Sequence, residues 1–139
     1  MEDRYLFKGK RIDNGEWAQG ALFNGESHCI IGQEIKFSPY TEHEYKIVGH
    51  EVDRDTICQC TGLKDKNGKL IWENDIVRDE QGNFYKAFWQ NNYYQFSWVC
   101  VKTDVFLIGT KWDLWSIKSF EIEVIGNKFD NPELLEVEE

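Results

Sequence analysis

Turn chemistry recurs along this chain, and it leaves little room for any long element. "DNG" at 13–15, "NG" at 24–25, "KNG" at 66–68, "QGN" at 81–83 and "QNN" at 90–92 are all hairpin sequences. Gly, Asn and Asp tolerate the positive φ that tight hairpins need. The segments between them are short and rich in aromatic and β-branched residues, which is the rhythm of a mainly β protein. Aromatics make up 15% of the 139 residues, enough for a sizeable core. The prolines, Pro39 and Pro132, are two in number, so the chain does not read as disordered.

"RYLFKG", "EWAQGALF" and "SHCIIG" read as an N-terminal meander. Ser38-Pro39-Tyr40 breaks any continuous element, because proline cannot donate to a ladder and restricts the residue before it. "EHEYKIVGHEV" reads as a strand. "KLIWENDIV" reads as strand, corner, strand, and "NFYKAFW" and "YYQFSWVCV" as a hairpin about "QNN". In that hairpin Tyr94, Phe96 and Trp98 alternate with Gln95 and Ser97, predicting one buried face. "KWDLWSIKSF" reads as weakly helical or loop. Phe120, Ile122 and Val124 predict one face of a strand, with Glu121 and Glu123 on the other. In "DNPELL" Asn131 is the expected N-cap, Pro132 the first helical residue, and Glu133 suits the positive end of the dipole. The expected architecture is N-terminal β-hairpins over 1–56 and a small SH3-like barrel with a short C-terminal helix over 57–139, or one continuous domain over 1–139.

Charge and cysteine content narrow the function classes. A net charge of −9 opposes a broad phosphate-binding surface, so nucleic acid is not the expected partner. Lys64, Lys66 and Lys69 read as a solvated turn. No run approaches a membrane span, and the charged N-terminus breaks at Gly9, unlike a signal peptide. The expected compartment is therefore the cytoplasm. In that reducing setting Cys29, Cys58, Cys60 and Cys100 are expected free. Cys58 and Cys60 would share one face of a strand and line a core, and no cofactor or metal is expected.

Asp65, Glu73 and Asp75 lie close in sequence, and three acids at this spacing pose a choice. A hydrolase using a divalent ion would need them to converge with further oxygen ligands. The alternative is turn punctuation. Asp75 would accept backbone N–H groups at the corner, and Asn74 would take the left-handed conformation. The second reading explains every residue of the triplet, and no catalytic residue is assigned.

"TGLKDKNGKLIWENDIV", Thr61 to Val77, resembles the signature of the YopX family, small proteins of bacteriophages and prophages. The matching positions are Thr61, Gly62, Leu63, Lys64, Asp65, Gly68, Lys69, Ile71, Glu73, Asp75 and Ile76, while Asn74 stands where the family usually has Gly. "FKGKRIDNGEWAQGALF" resembles the family's opening hairpin. "EVIGNKFDNPELL" resembles its closing block, through Val124, Ile125, Gly126, Asn127, Asn131 and Pro132. The resemblance implies a phage or prophage setting, a homo-oligomer or a host or phage protein as partner, and no established activity. It makes the signature residues markers of the fold. Other readings are a nucleic-acid-associated or DNA-mimicking module and, least favoured, the divalent-ion hydrolase.

Overall fold

The computed structural model describes residues 3–36 and 45–136. Strands dominate, and the longest of the helical segments is the 3-10 turn Pro132–Leu135. The mainly β expectation holds. The chain divides into two compact units, Met1–Gln59 and Cys60–Glu139.

In the first unit β1 (Phe7–Lys10), β2 (Trp17–Asn24), β3 (Cys29–Lys36) and β4 (Tyr45–Glu51) pair antiparallel in sequence order. The start of β5 (Cys58–Lys64) runs along the other side of β1, with Phe7 opposite Gln59 and Lys8 opposite Cys58. The strand expected in "EHEYKIVGHEV" is β4. Ser38, Pro39 and Tyr40 lie outside the described residues. Ala18, Cys29, Ile31 and Val52 form a small core, with Phe7, Leu22 and Ile57 against it. Gly32 lets β3 approach β4 closely, since a Cβ there would run into the Val48 carbonyl.

In the second unit the rest of β5 forms a hairpin with β6 (Leu70–Trp72), Cys60 opposite Trp72. A five-stranded antiparallel sheet follows. It is built from β7 (Asp75–Arg78), β8 (Phe84–Gln90), β9 (Gln95–Lys102), β10 (Lys111–Asp113) and β11 (Glu123–Asn127), in the order β10-β9-β8-β7-β11. Its edge strands, β10 and β11, do not pair with each other, so these ladders describe a sheet and do not include the closure of an SH3-like barrel. Ile71, Val77, Tyr85, Ala87, Trp98, Cys100 and Ile122 make the core. Leu63, Trp112, Leu114, Ile117 and Val124 pack on it. Cys58 and Cys60 are both buried, at 1% and 0% exposure, as the shared strand face requires. All four cysteines are free and buried.

Three local expectations change. Tyr94 does not share the buried face of Trp98. It sits in the hairpin turn with φ 51° and is 83% exposed, because β9 begins only at Gln95. Phe120 does not share the face of Ile122 and Val124. It lies in the 3-10 turn Ser119–Glu121, is 66% exposed, and precedes β11. "KWDLWSIKSF" is neither helix nor plain loop, since Lys111–Asp113 is a strand and Leu114–Ser116 and Ser119–Glu121 are 3-10 turns.

Candidate functional site

The signature block is the densest set of side-chain-to-backbone bonds in the second unit. Asp65 ends the β5 side of a turn in which Gly68 adopts φ 80°. Its Oδ1 accepts from the N–H of Asn67 and of Lys69, each at 2.9 Å, and its Oδ2 accepts from Val124 N–H on β11 at 2.9 Å. The carboxylate therefore closes its own turn and ties it to a strand 59 residues away. Lys66 N–H adds a bond to Ile122 O at 2.9 Å. Burial pushes the Asp65 pKa up, but the N–H groups of Val124, Lys69 and Asn67 outweigh it and hold the group below its ordinary value.

The β6–β7 corner works in the same way. Asn74 takes the left-handed conformation at φ 71°. Its N–H donates to Ala87 O on β8 at 2.7 Å, and its carbonyl accepts from Lys128 N–H at 3.0 Å. Asp75, 3% exposed, accepts from Trp72 N–H at 2.8 Å. Glu73 is half-buried beside them. Thr61 Oγ1 donates to Ile71 O at 2.7 Å, and Gly62 takes φ 85°.

The closing block forms a second knot. Asn127 Oδ1 accepts from the N–H of Phe129 and of Asp130, each at 2.9 Å, and its own N–H donates to Asn131 Oδ1 at 3.2 Å. This corrects one expectation. Asn131 stands at the N-cap position with Pro132 following, but its side chain does not cap the 3-10 turn, because it is engaged by Asn127. A Cβ at Gly126 would meet Asn131 Oδ1 at 2.5 Å, so a side chain there would push Asn131 away from the Asn127 N–H.

Asp65, Glu73 and Asp75 thus sit in two turns, and the oxygens of Asp65 and Asp75 point at backbone donors. Among the described residues no three His, Cys, Asp or Glu side chains converge to hold a metal ion.

Two features were not read from the sequence. Asp79 organises the β7–β8 turn, accepting from Gln81 and Asn83 N–H at 3.0 and 2.9 Å, from Asn83 Nδ2 at 2.9 Å and from Tyr85 OH at 2.9 Å. Burial raises its pKa, but these donors outweigh it and hold it low, while burial and the Asp79 carboxylate push the Tyr85 phenol up. The signal was present, as an Asp three residues ahead of Gly82. The second feature is apolar surface. In the β9–β10 loop Val105, Phe106, Leu107 and Ile108 are 74%, 45%, 83% and 53% exposed. Trp115, at 94%, rims a cleft of about 360 Å³ lined by Leu63, Leu114, Ile117 and Phe120, with Lys118 and Ser119. The signal was an apolar run without alternation between Asp104 and Gly109.

These features define a class: a mainly β protein of two small units whose marked carboxylates and amides lock turns. A family model described as YopX protein matches residues 6–136, and the chain belongs to the YopX family. A solved structure, that of protein EF1440 from Enterococcus faecalis, is similar at 26% identity with a TM-score of 0.57, covering 94% of this chain and 96% of that one. No curated protein matches. No described helix is long and apolar enough to cross a membrane.

Proposed function

We propose that this chain is a phage- or prophage-derived, non-enzymatic protein that acts through protein contacts in the host cytoplasm and assembles with copies of itself. The apolar surface of the second unit carries the reading. Val105, Phe106, Leu107 and Ile108 form an exposed apolar run, Trp115 is 94% exposed beside an apolar cleft, and large exposed apolar surface is a mark of interaction sites. The roles of Asp65 and Asp75 in their turns support a structural reading of the acids over the divalent-ion hydrolase.

Light scattering at two protein and two salt concentrations tests it. The expected result is a stable multiple of 16.5 kDa. The double variant Leu107→Ser, Trp115→Ser should shift that mass toward the monomer. A monomer from the unaltered chain at every concentration would remove self-assembly from the reading.

A further inference from the structure

The β9–β10 loop of the second unit is apolar at its tip and firmly held at its base. Thr103 Oγ1 accepts from the N–H groups of Val105 and Phe106 at 3.0 and 3.2 Å, and donates to Asn83 Oδ1 at 2.6 Å. Thr110 N–H and Oγ1 both donate to Leu107 O, at 3.1 and 2.6 Å. Gly109, at φ 92°, donates its N–H to Cys100 O at 2.8 Å. Phe106 leans on Trp112, with ring centres 5.2 Å apart, while Val105 and Leu107 stand mostly in solvent. A hydrophobic tip fixed in this way loses little conformational freedom when something covers it.

The cleft of about 360 Å³ is its counterpart. Leu63, Leu114 and Ile117 line it where they pack on the core, and the exposed Trp115, Lys118 and Phe120 stand at its mouth. No residue of the loop lines the cleft, so the chain does not fill it with its own tip. Asp104 leads into the tip and is exposed, as Lys118 is. Neither makes an ion pair among the described residues. The tip therefore carries an unpaired negative charge and the cleft an unpaired positive one. Trp115, Phe120 and Phe106 together leave about two rings' worth of aromatic surface in water, roughly 300–500 Å² at roughly 150–250 Å² a ring. Val105, Leu107 and Ile108 add to it, toward the ~800 Å² that each partner of a stable complex covers.

We infer that the tip of one copy seats in the cleft of a second copy, with Leu107 against Trp115 and Ile117, and Asp104 facing Lys118 across the contact. This rests on the self-assembly reading and names the two surfaces that meet. The halves match in hydrophobicity and oppose in charge, and every copy carries both, which favours a second copy over a foreign protein. The contact joins unlike patches. It makes a closed dimer where a two-fold axis renders the exchange mutual, and a ring or filament where it does not.

The test is complementation between two variants of the full chain, each altered only at exposed residues. Val105→Asp with Leu107→Asp spoils the tip and keeps the cleft. Trp115→Asp with Lys118→Glu spoils the cleft and keeps the tip. Circular dichroism of both should match the parent, and Leu107→Ser and Trp115→Ser replace either variant that does not. Light scattering then reads each variant alone and an equal mixture of the two. Each alone should need at least ~10-fold more protein than the parent to assemble. The mixture should recover a species of twice 16.5 kDa, because the intact tip of one variant fits the intact cleft of the other. Full assembly of either variant alone overturns the inference. So does a mixture that stays as dissociated as its parts. In both cases assembly of the parent leaves the self-assembly reading standing. A parent that is monomeric at every concentration overturns the two together and leaves tip and cleft to a foreign partner.

Discussion

The two units are built from the same element, an antiparallel meander, yet they bury very different side chains. The first closes on Ala18, Cys29, Ile31 and Val52. The second closes on Trp98, Tyr85, Ile71, Ile122, Val77, Ala87 and Cys100. Trp17 of the first unit lies under Lys8 and Lys10, at 4.6 and 5.5 Å, rather than within that unit's core. Hydrophobic stabilisation grows with apolar area removed from water, so the second unit holds the larger share. The first leans on ladder hydrogen bonds and close strand approach at Gly32. Long side-chain ties are common to both, for Asp65 reaches across 59 residues in the second unit and Gln59 Nε2 donates to Arg4 O across 55 in the first.

The largest expected effect tests the core difference directly. Trp98→Ala should cost about 3–5 kcal/mol, read as a lower urea midpoint. Ile31→Ala in the first unit should cost about 2–4 kcal/mol. Hydrogen exchange on the two variants decides how separate the units are. Loss of protection confined to the unit that carries each change keeps the comparison, and loss in both units together breaks it.

Asp65→Asn should come next, at about 1–3 kcal/mol, since the amide keeps one acceptor oxygen for three N–H donors. The sign with pH follows from the lowered pKa. A carboxylate whose folded pKa lies below its unfolded value near 3.8 stabilises fully above that value and loses its contribution as pH falls through the folded pKa. The parent should therefore lose stability below about pH 4, and the variant should lose less over that window. Parallel acid limbs in the two urea-midpoint profiles would remove Asp65 from the account.

Smaller effects probe the corners. Asn74→Ala should cost about 1 kcal/mol through its positive φ, while Asn74→Gly should stay within about 0.5 kcal/mol of the parent. Equal losses for the two would show that the Asn side chain, rather than the backbone angle, matters. The smallest effect belongs to Tyr94→Ala, where an exposed turn residue should change stability by less than about 0.5 kcal/mol.

Much of this was legible because it is local. Asp75 caps a corner between strands, Asn74 turns left-handed, Cys58 and Cys60 share a face, and each follows from residues within a few positions of one another. What failed was where strands begin, and capping. The second strand of the "QNN" hairpin begins at Gln95, two residues later than the pattern suggested, which puts Tyr94 in the turn and into solvent. A 3-10 turn before β11 did the same to Phe120. Asn131 has every local qualification for a cap, yet it gives its oxygen to Asn127.

By itself the sequence determined a mainly β chain with tight corners, and which residues make them, because turn conformations depend on local sterics. Only the tertiary structure decided that Asp65 reaches Val124, that Lys111, Lys86 and the edge of β11 align in one row, and that Leu107 and Trp115 stay outside. These depend on register between distant strands, and no local pattern encodes which distant strand supplies the donor, the neighbour or the cover.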